Sequence, residues 1–482
     1  MFESVRCEGL AIPLMLMCAC GEAPARDTST HPDVVLVSID SLRADHLGAY
    51  GYARPTSPTI DRLATSGVRF EWTVSTTSWT LPAHAALLTG LYDSAHGLVD
   101  NGLRLADAHL TLAEVLHDHG YHTAGFFGGP YLHPTFGLGQ GFDIYRSCMS
   151  HDDASAERVR ADASAETSSS HGDITGPRTL EEVTRWLPDL DERPFFLFLH
   201  LWDVHYDYIA PTEYLRRFDS GATGSLDARQ LMQNPKIRAG MSTRDREDLL
   251  ALYDAEIRFT DDILGKLLAG LESRGRLRDA IVVVTADHGE EFFEHGGKGH
   301  QRTLYDEVLR VPLVLSWPGH LPAGHVVHEA VRLIDVMPTV LALAGIPTPA
   351  QVQGRDLAPL WRGEPLAPEP ALSELLVDGG ALRALRTDRY KWIAPGPGRP
   401  ALGFDLRRDP GELQPVRAPA DELRRGVDRL LHEVSSSVAR RQQIGGDPVA
   451  VKLDDSTWER LRALGYVGDT APGSEAGREG ER

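Results

Sequence analysis

Several residues in this chain have the types and spacing that ester chemistry needs. Within Ser78–Gly90, Thr80 and His84 stand four apart in a stretch that predicts a helix. Pro82 suits a first helical turn, Thr80 reads as the N-cap, Ala83–Leu88 are mostly helix formers and Gly90 is a stop. The free N–H groups and dipole of a helix N-terminus attract anions. A hydroxyl held there is placed to attack a phosphate or sulfate ester; the plainer reading is that Thr80 only caps the helix.

The remaining candidates follow apolar runs. Asp33–Ile39 leads into Asp40, Pro194–Leu201 into Asp203 and His205, and Ala280–Ala286 into Asp287 and His288. Such continuous runs predict strands buried on both faces of a parallel sheet, and a fourth spans Val311–Trp317. Helical spacing of Leu249, Tyr253, Ile257, Leu264, Leu268 and Leu271 predicts a helix over about 244–271. Strands alternating with helices imply an α/β fold with a mostly parallel sheet covered by helices on both faces. Ligands of such sheets bind beyond the carboxyl ends of the strands, where Asp40, His205, Asp287 and His288 fall together. Two carboxylates and an imidazole suit a divalent cation. His84, His205, Lys298 and His300 are candidates for holding the other oxygens of a tetrahedral anion, and a histidine for protonating the leaving alcohol. Asp45 and Asp203 read as structural, and Trp79 as packing.

The 482 residues carry a net charge of -20, with 42% hydrophobic and 24% charged residues. This is globular composition, and it lacks the basic field that nucleic-acid binding requires. Leu10–Cys20 is apolar but too short to span a bilayer, and resembles a secretory h-region. Cys20, between Ala19 and Gly21, looks like a bacterial lipidation site, although Glu3 and Glu8 offset Arg6 where a signal should be positive. The expectation is an exported protein, periplasmic or an outer-membrane lipoprotein, with Cys20 as a membrane tether. Of four cysteines, Cys7, Cys18 and Cys20 lie in that segment and leave Cys148 without a pair, so no disulfide framework is expected. Residues 150–176 and 219–234 read as loops. Leu382–Ile393 reads as a hairpin with Thr387-Asp388 at its turn, and Gly403–Leu406 as a further strand.

In chain order, these motifs resemble the sulfatase branch of the alkaline phosphatase-like superfamily. Val37–Gly48 looks like the first metal-binding block. Thr80-Leu81-Pro82-Ala83-His84 stands where sulfatases carry Cys/Ser-x-Pro-Ser-Arg. Asp203-Val204-His205 looks like the histidine block, and Thr285–Glu290 like the second metal block. His300–Pro312 follows in order. Tyr390-Lys391, Asp405-Leu406 and Asp409–Glu412 resemble the closing motif of a small C-terminal α+β subdomain. The resemblance covers about 33–415 and implies a catalytic domain over 33–370, a C-terminal subdomain over 371–440 and a tail over 441–482, after a signal- or lipoprotein-like segment over 1–26.

It implies a metal-dependent hydrolase of sulfate or phosphate esters, borne on small molecules, glycans or lipids. Thr80 would be nucleophile and ligand, with Asp40, Asp287 and His288 as further ligands of calcium, or of zinc or manganese. This chain departs from the pattern in four places. Oxidation of Thr80 would give a ketone, which excludes formylglycine. Unmodified threonine serves in phosphodiesterases and phosphotransferases of the superfamily, so action on lipid head groups or glycans is the first alternative. Ser41 replaces a second aspartate, His84 replaces the arginine, and the family's lysine falls near Gln301, with Lys298 and His300 close by. A non-catalytic anion-binding protein is the second alternative.

Overall fold

A central eight-stranded sheet organises the computed structural model, which describes residues 31–149, 173–218, 226–377, 380–394, 400–415 and 420–451. Its strands in chain order are β1 (Asp33–Ile39), β2 (Val68–Val74), β3 (His122–Phe127), β4 (Ile144–Ser147), β5 (Phe195–Leu201), β6 (Ala280–Thr285), β7 (Arg310–Ser316) and β8 (His325–Arg332). They lie in the order β8-β2-β7-β6-β1-β5-β3-β4. All are parallel except β7, which runs against both β2 and β6. Every residue of β1, β5 and β6 is buried, as their unbroken apolar runs require of strands covered on both faces.

The helices that bear on the site are α1 (Thr80–Thr89), α2 (Gly176–Trp186), α3 (Thr243–Glu272) and α4 (Ala420–Gln443). All ten residues of α1 are buried, which fits its run of Ala and Leu with no polar face. It stops at Gly90, whose φ of 66° is left-handed and whose N–H donates to the Ala86 carbonyl at 2.9 Å. One detail of the sequence reading is corrected. The N-cap position is the extended residue Trp79, and Thr80 is the first helical residue, so its hydroxyl is not used as a cap.

Residues Ala371–Val377 (β9), Gly380–Arg386 (β10), Tyr390–Ala394 (β11) and Leu402–Asp405 (β12) form a second, antiparallel sheet in sequence order. The expected hairpin is present, with the Thr387 N–H donating to the Tyr390 carbonyl at its turn. Leu430 of α4 packs with Leu372, Leu385 and Trp392 of this sheet. The sheet also braces the segment leading into α1. Ser373 Oγ donates to the Ser75 carbonyl and the Glu374 N–H to the Thr76 carbonyl, each at 2.7 Å. Val449–Ala450 pairs with Leu103–Arg104.

The signal-like segment with Cys20, the loops over 150–172 and 219–225, and the tail from 452 onward lie outside the described residues. Among the described residues, no helix is long and apolar enough to cross a membrane.

Candidate active site

Strand register gathers the site. Ser38 of β1 is level with His200 of β5 and Thr285 of β6, so Asp40 and Asp287 emerge side by side just past the strand ends. Ser41 turns the chain there with a φ of 56°. That turn lets its N–H donate to Asp287 Oδ1 at 3.1 Å, and the His288 N–H donates to the same oxygen at 2.8 Å. Tyr253 of α3 holds the turn from outside: its hydroxyl donates to the Ser41 carbonyl at 2.7 Å and accepts from the Arg43 N–H at 2.9 Å. Ser75 Oγ donates to the Asp287 carbonyl at 2.5 Å.

The Thr80 hydroxyl opens onto this cluster. Its Oγ1 lies 3.2 Å from His288 Nε2 and 3.4 Å from Asp40 Oδ2. His288 Nδ1 donates to the Gly289 carbonyl at 2.9 Å, so Nε2 turns a lone pair toward Thr80 and toward Asp287 Oδ2, 3.3 Å away. The ligand atoms of Asp40, Asp287 and His288 all lie within 4.8 Å of one another, and all three residues are buried. Asp287 Oδ2 has no hydrogen-bond partner among the described residues. Burial, and then the charge of Asp287, hold the Asp40 carboxyl well above its ordinary pKa. Burial pushes Asp287 up too, but the imidazoles of His288, His84 and His200 outweigh it and leave Asp287 lowered. Two buried carboxylates and an acceptor nitrogen so close together lack positive charge, and a divalent cation would supply it.

The other predicted residues divide. His300 joins the cluster, with its ring 4.3 Å from that of His288 and 4.9 Å from that of His205. Its Nδ1 lies 3.1 Å from Glu290 Oε1, and its buried Nε2 has no partner among the described residues. Burial lowers the His300 pKa to about 4 and raises that of Glu290 to about 8. The neutral pair therefore shares one proton between Glu290 Oε1 and His300 Nδ1, which leaves the Nε2–H of His300 as a donor. His205 stacks on Trp202 at 3.9 Å and donates from Nδ1 to the Tyr206 carbonyl at 2.5 Å.

Two candidates are not placed to hold an anion. The Lys298 ammonium donates to the carbonyls of Asn234 and Ile237, at 3.3 and 2.6 Å, and so ties down that loop. His84 is fully buried, and both its ring nitrogens are engaged, Nδ1 with the Thr80 carbonyl at 2.8 Å and Nε2 with Ser38 Oγ at 3.0 Å. Burial, and then His200, push its pKa down to about 3. Asp203 accepts the Thr175 N–H at 2.7 Å, one residue before α2, in the structural role expected of it.

Sequence reading passed over His200 and Glu290. His200 is the one polar residue in β5, and that isolation within an apolar strand was the available signal. Glu290 stands two residues past His288 in a motif already singled out, but nothing in the sequence pairs it with His300.

Residues 32–346 match the family model described as Sulfatase. The chain belongs to the sulfatase family. It is 28% identical to the ulvan-active sulfatase of Formosa agariphila over 404 residues, covering 80% of this chain and 77% of that protein. It is 28% identical to human arylsulfatase A over 476 residues, covering 83% and 85%. Among solved structures, the phosphonate monoester hydrolase of Agrobacterium radiobacter superposes with a TM-score of 0.68 at 25% identity, covering 88% of this chain and all of that one. The fold of this sulfatase-family hydrolase is accordingly the alkaline phosphatase-like α/β fold.

Proposed function

We propose that this sulfatase-family hydrolase is metal-dependent and cleaves sulfate or phosphate esters with Thr80 as an unmodified nucleophile. The observation that carries the reading is the Thr80 hydroxyl, which lies between His288 Nε2 and Asp40 Oδ2 at the first turn of α1. Asp40, Asp287, His288 and Thr80 would hold the cation. Two carboxylates, one imidazole and one hydroxyl offer fewer oxygens than the six to eight that calcium prefers, and suit zinc or manganese better. When bound, the ion supplies positive charge that lowers the pKa of a nearby hydroxyl and stabilises the developing anion.

The rest falls to the protein. Thr80 Oγ1 forms a bond to sulfur or phosphorus while the bond to the leaving oxygen breaks. The hydroxyl proton leaves toward Asp40 Oδ2, and the leaving oxygen takes a proton from His300 Nε2, whose ring Glu290 orients. Water then cleaves the threonine ester and releases the anion. The N–H groups of the first turn of α1 favour the negative charge that builds up beside them.

A phosphoester substrate is the second reading. It is favoured by the threonine itself and by the likeness to the phosphonate monoester hydrolase of Agrobacterium radiobacter. The full chain is to be assayed on an aryl sulfate, a phosphate monoester and a phosphodiester, with and without added metal, beside Thr80→Ala. Turnover lost by at least a hundredfold in Thr80→Ala supports the threonine mechanism, and the preferred ester assigns the substrate class. Equal turnover by both proteins refutes Thr80 as nucleophile. Unchanged affinity for inorganic phosphate or sulfate, with no turnover by either protein, would leave an anion-binding protein.

A further inference from the structure

A second set of potential ligands lies behind the first. His200 Nδ1 donates to the Gly128 carbonyl at 2.5 Å, which fixes that proton and turns the Nε2 lone pair inward. That lone pair meets Asp40 Oδ2 at 3.2 Å. Two buried acceptors at hydrogen-bond distance repel unless a cation or proton lies between them. His84 crosses His200 edge to face, with ring centroids 4.7 Å apart at 88°. Its Nδ1 is 3.8 Å from Asp287 Oδ2, the carboxylate oxygen with no hydrogen-bond partner among the described residues. His84, His200 and Asp287 are fully buried, and one ligand atom from each lies within 4.8 Å of the others. Among the described residues, no lysine or arginine donates a hydrogen bond to any of these groups.

We propose that His84, His200 and Asp287 form a second metal site, selective for a borderline transition ion such as zinc or cobalt, with Asp287 shared between the two sites. The inference rests on the metal reading of the first site, because Asp287 is common to both. Two imidazoles and one carboxylate select such an ion over calcium or magnesium, which prefer oxygen. Ligation by His84 requires Nδ1 to give up its proton and its 2.8 Å contact with the Thr80 carbonyl. The proton that Nδ1 now gives the Thr80 carbonyl moves to Nε2, where Ser38 Oγ accepts it. His84 is also the first-turn neighbour of Thr80, so an ion there would bring its charge up to the nucleophile from within the protein.

The test counts ions. The full chain is stripped with a chelator and titrated with Co2+, and bound metal is read by calorimetry, elemental analysis and visible absorption. The wild type should take two equivalents, the second bringing the absorption of nitrogen-ligated cobalt. His200→Gln and His84→Gln should each take one equivalent and lose that absorption, while Asp40→Asn weakens the other equivalent. One equivalent in the wild type, retained in both histidine variants, overturns the second site and leaves the first intact. No bound metal in the wild type overturns both. Should the histidine variants misfold by circular dichroism, anomalous diffraction from cobalt-soaked wild-type crystals decides. Two peaks beside Asp287 support the proposal, and one peak refutes it.

Discussion

His300 Nδ1 lies 3.1 Å from Glu290 Oε1, and the opposite nitrogen of the same ring, whose centroid lies 4.3 Å from that of His288, is buried with no hydrogen-bond partner among the described residues. Glu290 therefore sets which ring nitrogen carries the proton. Glu290→Ala is expected to lower kcat by about tenfold to a hundredfold, with KM little changed, because it disturbs a proton-transfer group rather than binding. Glu290→Gln keeps a hydrogen-bonding partner for Nδ1 and should recover most of that loss. Steady-state kinetics of the two variants, side by side, check this.

Metal removal should cost stability as well as turnover. An ion that binds only the folded chain contributes about 2.7 kcal/mol when its free concentration is a hundredfold above Kd. Chelation is expected to lower Tm, and Zn2+ or Mn2+ to restore it. Asp40→Asn should lose most of that restoration. Calorimetric scans with and without metal test it.

The packing of the second sheet onto the rest of the chain has its own charge cluster. Lys391 is fully buried, and its ammonium contacts Asp306 Oδ1 and Glu412 Oε1, each at 2.8 Å. Arg386 Nε reaches the other oxygen of Asp306 at 3.2 Å. Lys391→Met leaves two buried carboxylates with a single cation between them. It should destabilise the protein by about 3–5 kcal/mol, as removal of one partner from a buried pair does. Urea unfolding of wild type and variant measures the difference.

His96 gives a pH prediction away from the site. Burial pushes its pKa down to about 3, against an ordinary value near 6.5. The folded chain thus refuses a proton that the unfolded chain accepts. Its contribution to stability is complete above pH 6.5 and is lost as pH falls toward 3. Between pH 6.5 and 5 the wild type should lose about 2 kcal/mol relative to His96→Gln. Urea titrations of both proteins at the two pH values would show parallel curves if His96 were not the cause.

These residues also show where the sequence was readable. β1, β5, β6 and β7 could be read because strands buried on both faces need unbroken apolar runs, and α3 because its apolar residues keep helical spacing over many turns. β3 and β8 escaped notice: Thr123 and Gly125 interrupt one run, and His325, His328 and Glu329 the other. The clustering of Asp40, Asp287, His288 and Thr80 followed from strand ends and a helix start, which chain order can place. Lys298 did not follow, because a long side chain can leave the direction its backbone suggests, here toward the Asn234 and Ile237 carbonyls. His200 depended on the register of β1 against β5, and neither strand carries that register in its own residues.

The hydrogen bonds from Ser373 and Glu374 to the Ser75 and Thr76 carbonyls join residues almost three hundred positions apart, just upstream of Thr80. On the ribosome, Thr80 emerges long before the strand that braces its approach exists. The nascent chain therefore carries Thr80, the proposed nucleophile, with its approach unbraced through most of its synthesis, and only a chain extended into β9 can make these two bonds. Premature termination between residues 289 and 372 should yield a polypeptide that keeps every proposed metal ligand yet lacks the two hydrogen bonds that brace the approach to Thr80.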